Sequence, residues 1–256
     1  MNGIENRLRE FIHFQDHRSL IVDVSAGVAL GALPGLEDFS AGVSPILPVI
    51  DGLVCSPGQL RRVQRRSQNE AALLVRADWT NVLRSPGFIL PPAHPKRVSL
   101  LSAKDASDLG ACGMVISFLL GYEEEVEAAC MRDTVQLALE GKALGLPLVV
   151  EVRPTGSRVS LYGKAVELGA SYALEGGADV IVIPNPGKES LKTVAAFVSV
   201  PWLVKTNGLA AAEELATVLA LGGVGLWLDH TVFEQPDPAG QLKYLHGQLH
   251  PALEKY

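Results

Sequence analysis

The chain has 256 residues, 48% of them hydrophobic, and a formal net charge of −6 at neutral pH. That length suits one α/β barrel, and the acidic balance argues against a partner held through nucleic-acid phosphates. No apolar run is long enough to cross a bilayer, so no membrane partner is expected.

The first residues, with Asn6, Arg7, Glu10, His13 and Asp16, are mixed and charged, unlike a signal peptide. Residues 5–14 read as a helix that plugs or flanks the bottom of the fold. Apolar runs of strand length follow at 19–23, 52–55, 71–78, 112–120, 146–153, 178–184, 201–206 and 223–229. They are almost continuously apolar, as parallel strands covered on both faces are. The pairs Arg61-Arg62 and Arg65-Arg66 read as the solvated face of one helix. The proline-rich stretch 84–97 is long for a strand-to-helix connection and is expected to cover the barrel mouth or form a contact. Helices are expected at 123–144, 162–176, 188–197 and 210–221. Gly145 should stop the longest of them by accepting a left-handed backbone, with Pro147 just beyond.

Eight strands alternating with helices give a single α/β domain over residues 1–256, a closed (β/α)8 TIM barrel with an additional N-terminal helix. No Gly-x-Gly-x-x-Gly turn follows the first strand, so an open nucleotide-binding sheet has little support. The cysteines, Cys55, Cys112 and Cys130, are odd in number and far apart, which fits a reducing cytoplasm and no cysteine metal site. Cys55 and Cys112 fall in strand runs and read as core. Trp79 and Trp202 read equally as interface or core.

In such a barrel the chemistry sits at the carboxyl ends of the strands. Those ends carry Asp23, Arg76 and Asp78, Glu151 and Arg153, Asn185, Lys205 followed by Asn207, and Asp229 with His230. Lys205 is the most telling. It closes the apolar run Val200-Pro201-Trp202-Leu203-Val204, where an amine is costly unless paired or used. Desolvation can turn such an amine into a nucleophile towards carbonyls, with Glu151, Asp23 or Asp229 moving protons and Arg153 or Arg76 holding an anionic substrate. The alternative is structural: Lys205 as the ion-pair partner of Glu151 or Asp23. Asp23, Asp78, Glu151 and Asp229 could also hold a hard cation, but His230 is the only imidazole near them, and metal catalysis ranks below the lysine reading. Lys188, in Pro186-Gly187-Lys188-Glu189, is a reserve amine that looks more like a solvated helix start.

Three phrases lead into strands: Gly145-Leu146-Pro147-Leu148-Val149-Val150, Gly177-Ala178-Asp179-Val180 and Val200-Pro201-Trp202-Leu203-Val204. On them the chain resembles the class I aldolase superfamily of the archaeal-type fructose-bisphosphate aldolases, with the tagatose-bisphosphate, deoxyribose-phosphate and autoinducer-2 phosphate aldolases and the aminodideoxyheptulosonate synthases. The resemblance runs from residue 19 to about residue 235. It implies carbon–carbon lyase or transferase chemistry on a small carbonyl. The functional positions depart from the pattern. Asp23 keeps the first-strand aspartate, but Val24-Ser25 follows it. The family's Schiff-base lysine falls at Pro184, its tyrosine acid at Arg153, and its Gly-Arg-Asn phosphate loop at Asp229-His230-Thr231. The seventh-strand Ser-Gly-Gly becomes Lys205-Thr206-Asn207-Gly208, which is similar to the Val-Lys-x-x-Gly-Gly of the deoxyribose-phosphate aldolases.

The expectation is a cytoplasmic class I aldolase-like enzyme using a Lys205 Schiff base, with Asp23 and Glu151 handling protons. Arg153, Arg76, Asp78, Asn185, Asn207, Asp229 and His230 would surround the substrate. No cofactor and no metal are expected, and many such barrels associate, so a homo-oligomer is. The alternative is a metabolite-binding or regulatory barrel that has lost the usual lysine. An isomerase with Asp or Glu as base is a third reading.

Overall fold

The computed structural model describes residues 3–63, 70–207 and 211–251. Eight parallel strands close into a barrel: β1 (Ser19–Asp23), β2 (Gly52–Cys55), β3 (Ala72–Arg76), β6 (Gly113–Leu119), β7 (Leu148–Arg153), β8 (Val180–Pro184), β9 (Trp202–Thr206) and β10 (Gly225–Asp229). Two further strands, β4 (Asp78–Thr80) and β5 (Arg97–Ser99), pair antiparallel outside it. The barrel is the expected (β/α)8 architecture, and its strand positions follow the apolar runs within two residues at most ends.

Alternation along each strand divides the core in two. Ile21, Leu74, Val115, Val149, Val182, Leu203 and Trp227 fill the barrel axis. Their neighbours Leu20, Val22, Val75, Ile116, Val150, Ile181, Val204 and Leu228 face outward under the helices. The N-terminal helix Gly3–Phe11 lies at the bottom, where Phe11 and Ile12 join the axial cluster. Gly52 makes room for it, since a Cβ there would meet Leu74, Ile21 and Phe11 within 3.5 Å. The Ser19 hydroxyl donates to the Phe11 carbonyl at 2.5 Å and ties the helix to β1.

The expected helices occur as Glu124–Leu144, Tyr162–Glu175, Lys188–Phe197 and Ala211–Ala220; residue 210 lies outside the described residues. Gly145 stops the first of these at φ 66°, in the left-handed region. Gly225, where β1 and β10 meet, has φ 153°, and a Cβ there would fall 1.9 Å from the Ser19 carbonyl oxygen.

Two expectations are corrected. The third strand does not run to residue 78. It ends at Arg76, because Asp78 turns aside to accept the Ser117 amide and Arg97 Nε, both at 2.9 Å, and starts β4 instead. The proline-rich stretch is therefore the loop of a β4–β5 excursion, closed by Thr80 and Asn81 side chains on the carbonyls of Lys96 and His94. It is pinned over the mouth by Trp79 Nε1 and Arg84 Nε, which donate to the carbonyls of Val28 and Ala29. The arginine-bearing helix is also shorter than expected. Pro57–Leu60 stops before Arg61 and Arg62, which are exposed, and Arg65 and Arg66 lie outside the described residues. Trp202 is core, and Trp79 is half-buried. All three cysteines are buried and none forms a disulfide. No helix among the described residues is long and apolar enough to cross a membrane.

Phe11 is 1% exposed, so its truncation empties the barrel floor. Phe11→Ala is expected to cost about 3–5 kcal/mol in urea unfolding, with the transition remaining cooperative. A loss under about 1 kcal/mol would show that the helix only rests on the barrel.

Candidate active site

The polar layer of the mouth follows from the same alternation. Two residues beyond each axial apolar side chain comes an inward residue of another kind: Asp23 after Ile21, Arg76 after Leu74, Ser117 after Val115, Glu151 after Val149, Pro184 after Val182, Lys205 after Leu203 and Asp229 after Trp227. Strand register sets neighbours at one level, pairing Ser117 with Glu151, Pro184 with Lys205, and Asp23 with Asp229.

Glu151 is the hub. It is 1% exposed and meets three cations. Its Oε2 accepts from Arg76 Nη2 at 2.9 Å and Arg153 Nη2 at 2.7 Å, and its Oε1 accepts from Lys205 Nζ at 2.8 Å. Burial alone would raise its pKa, but Arg153, Lys205 and Arg76 outweigh burial and hold it far below the usual carboxylate range. Arg76 is fixed from every side. Its Nη2 also donates to Asp23 Oδ2 at 2.5 Å, its Nε to Ser25 Oγ and its Nη1 to Ser117 Oγ. Burial opposes its charge, and Asp23, Glu151 and Asp78 more than restore it, so the guanidinium stays protonated. Asp23 spends its other oxygen on the Ser25 amide and hydroxyl.

Above this layer is a cavity of about 130 Å³. Asp23, Arg76, Arg153, Lys205, Asp229 and His230 line it, with Val28, Leu30 and Leu83 as apolar wall. Lys205 keeps 21% of its side chain exposed and makes one carboxylate contact among the described residues. Three buried polar atoms of the lining residues, Asp78 Oδ1, Arg153 Nε and His230 Nδ1, have no hydrogen-bond partner among the described residues. Asp229 accepts the Thr231 amide at 3.1 Å and the Thr231 hydroxyl at 2.5 Å through Oδ1. It thereby fills the start of the short turn His230–Glu234 with its own carboxylate.

The structure thus brings most of the expected site residues together, in unequal roles. Glu151 lies beneath the cavity rather than in its lining. Asp78 borders the cavity, but its Oδ2 is committed to Ser117 and Arg97. Asn185 and Asn207 are not brought in. Asn185 bridges Glu214 and the Gly187 amide, and Asn207 is exposed beyond the end of β9. Gly208, which completes the phrase after Lys205, lies outside the described residues. Sequence reasoning missed Ser25, Ser117 and Leu83. The first two could have been found from alternation and from the two-residue step after Asp23; Leu83 belongs to the excursion and carries no such signal.

No family model matches the chain. Over 252 residues, 97% of its length and 82% of the relative's, it is 24% identical to the 3-hydroxy-5-phosphonooxypentane-2,4-dione thiolase of Salmonella typhimurium (strain LT2). It is 25% identical over the same coverage to that of Yersinia pseudotuberculosis (serotype O:3). Among solved structures it is similar to a Schiff base forming fructose-1,6-bisphosphate aldolase, with a TM-score of 0.79, 21% identity, and coverage of 97% of this chain and 100% of the other. An archaeal fructose 1,6-bisphosphate aldolase has the same TM-score at 20% identity, covering 98% of this chain and all of its own. The fold is therefore that of these aldolases, in keeping with the resemblance read from the strand-end phrases.

The hub has a pH signature. Because the folded pKa of Glu151 is depressed, its stabilisation is fully present above its ordinary value near 4.5 and is lost as pH falls below that. Glu151→Gln leaves three cations around a neutral amide. It is expected to cost about 3–5 kcal/mol at neutral pH and to flatten the acid limb of stability against pH. Urea unfolding of both proteins from neutral to acidic pH checks this, and equal acid limbs would refute it.

Proposed function

We propose that the protein makes or breaks a carbon–carbon bond of a small carbonyl compound through a Schiff base on Lys205. The observation that carries this reading is the setting of Lys205. Its amine borders the cavity, has a single carboxylate contact among the described residues, and stands in register with Pro184, where the resembled aldolases carry their lysine. Neighbouring strands lie about 4.8 Å apart, so an amine on β9 reaches the space that one on β8 would serve.

In this reading the Lys205 ammonium first gives its proton to a cavity-facing group or solvent; the neutral amine then adds to the substrate carbonyl, the carbinolamine loses water, and the iminium takes up the electron pair of the breaking bond. Glu151 is held anionic by three cations, which makes it a positioning residue for Lys205 and Arg153 rather than a proton acceptor. Proton movement falls instead to groups facing the cavity. Asp23 is one. Asp229, whose second oxygen accepts no hydrogen bond from a described residue, and His230, with its unpartnered Nδ1, are the others. Arg153 Nε and Arg76 would meet substrate oxygen.

The cavity is well under the roughly 300 Å³ at which drug-sized pockets begin, so the substrate is small. The relatives named above act, by their names, on phosphorylated compounds. Here Asp229 fills the β10 end with negative charge, which favours an unphosphorylated substrate or one whose anionic group turns to Arg153. Three buried cysteines with no disulfide among them support a cytoplasmic setting. Exposed Ile89 and Leu90 on the β4–β5 excursion support self-association.

A second reading is a binding barrel in which Lys205 only neutralises Glu151, favoured by the 2.8 Å pair itself. Borohydride trapping with peptide mapping separates the two. The carbonyl panel would be dihydroxyacetone phosphate, pyruvate, hydroxypyruvate, acetaldehyde and unphosphorylated sugars, with a known aldolase in parallel. The expected result is a reduced adduct on Lys205. Lys205→Ala should then lose at least about a thousand-fold in turnover of the trapped compound. Lys205→Met should cost under about 2 kcal/mol, because Glu151 keeps two arginines. A larger stability loss with no adduct would establish the binding barrel.

A further inference from the structure

At the end of the barrel opposite the cavity, the connection into β1, the residue before β2 and the close of the helix Pro238–Leu249 come together. There His250 is fully buried between two aspartates. Its Nδ1 is 2.7 Å from Asp16 Oδ2, and its Nε2 is 3.1 Å from Asp51 Oδ2. The other oxygen of Asp51 is 3.8 Å from His246 Nε2. His246 and His250 are four residues apart on one helical turn, and the His250 amide donates to the His246 carbonyl at 2.8 Å. One ligand atom each from Asp51, His246 and His250 lie within 4.8 Å of one another.

A tetrahedral ion with nitrogen and oxygen bonds of about 2.0–2.1 Å holds its ligands about 3.4 Å apart. His250 meets Asp51 Oδ2 at 3.1 Å and His246 meets its Oδ1 at 3.8 Å, so with one atom from each residue within 4.8 Å of the others the three side chains must draw in to close on an ion. The surroundings are those of a prepared ligand set. Asp16, fixed in turn by the Arg18 amide on its Oδ1 at 3.1 Å, accepts from His250 Nδ1. With Asp16 on Nδ1, Nε2 is the nitrogen that faces Asp51 Oδ2, and an ion bound there would replace the proton between them, the arrangement in which a carboxylate orients a metal-bound imidazole. Asp51 Oδ2 is held by the Leu20 amide at 2.6 Å, while Oδ1 has no donor among the described residues closer than His246. His13 backs the group, stacking its edge on His250 at 5.7 Å and lying 3.6 Å from Asp16. The side chains of His246 and Asp51 are 27% and 12% exposed, so an ion can enter from solvent and keep an open position there.

We propose that Asp51, His246 and His250 bind a divalent transition cation of the zinc class, with Asp16 as the positioning residue behind His250. Two imidazoles and one carboxylate favour zinc-class ions over calcium or magnesium, which take oxygen ligands. The ion would join residues 199 positions apart, clamping the C-terminal helix to the start of β2. It lies away from the carbonyl site, so the proposal stands or falls independently of the Schiff-base reading.

The test uses the full chain, stripped with a chelator and titrated with Zn²⁺ by calorimetry and with Co²⁺ by visible absorption. One equivalent should bind, with a d–d absorption band for Co²⁺ and a chelator-reversible rise in Tm for Zn²⁺. His246 is partly exposed, so His246→Ala is expected to fold; it should weaken binding at least about ten-fold and remove the Tm rise. Asp16→Asn should weaken binding about 10–100-fold at unchanged stoichiometry. No uptake by the wild-type chain at neutral pH would overturn the proposal. So would equal affinity and equal Tm rise in both variants. Acid-dependent stability that needs Asp51 without any metal uptake would identify an imidazolium bridge between the aspartates instead, and would also overturn it.

Discussion

Glu151 is the interaction on which the polar half of the barrel depends. Arg76, Arg153 and Lys205 project inward from three strands into a space walled by apolar side chains, where like charges repel strongly. One carboxylate at the centre, with each cation within 2.9 Å, turns that repulsion into attraction. Position follows from it. Arg76 becomes a rigid strut between Asp23, Ser25, Ser117 and Glu151, and Lys205 and Arg153 are fixed below the cavity with part of each side chain still open to it. The pocket has the shape it has because the charges beneath it have nowhere else to go.

The same strands serve both layers of the interior. Their inward positions begin apolar near the amino ends and turn polar at the carboxyl ends, so the barrel is a dry plug below and a charged basin above. Phe11 and Ile12 complete the plug from outside the strand set. Trp227 stands at the boundary, in register with Lys205, with its indole nitrogen unpartnered among the described residues. The apolar core and the polar cavity are therefore separated along the axis, as is usual for this fold.

What was legible in the sequence divides along physical lines. Period and length marked the eight strands, since buried parallel strands need unbroken apolar runs, and Gly145 marked a helix end that only a left-handed residue makes. Strand-end position named Asp23, Arg76, Asp78, Arg153, Lys205, Asp229 and His230, and all of them border the cavity. What it does not carry is the direction of a side chain beyond the barrel strand. Asp78 follows Arg76 by two residues, yet its Oδ2 turns to Ser117 and Arg97, and Arg97 is too distant in sequence to foresee. Asn185 and Asn207 lie past the last inward position of their strands, where direction is set by the loop. The histidine–aspartate group at the barrel bottom was hidden for a related reason. A pair of histidines four apart is common, and Asp51 and Asp16 join it only through closure of the barrel.

Whether Lys205 is a nucleophile or merely a counter-ion turns on what surrounds it. A network built for neutralisation alone would close its hydrogen bonds, because a buried polar atom without a partner costs about 1–3 kcal/mol. The lower part of this network does close. Both oxygens of Glu151 and of Asp23 are engaged, as are all three nitrogens of Arg76. The upper part does not: Asp78 Oδ1, Arg153 Nε and His230 Nδ1 are buried at the cavity without hydrogen-bond partners among the described residues, beside an amine that meets one carboxylate among them. Unmet donors and acceptors gathered around a small cavity are what a polar ligand satisfies on entry. The departures from the aldolase pattern also compensate one another. Proline on β8 leaves space, lysine on β9 can enter it, and Arg153 and Asp229 change the charge of the walls around the same volume. Decay of an old site would leave vacated positions, not an amine set among partners of its own, and this is the arrangement on which the proposed carbonyl chemistry rests.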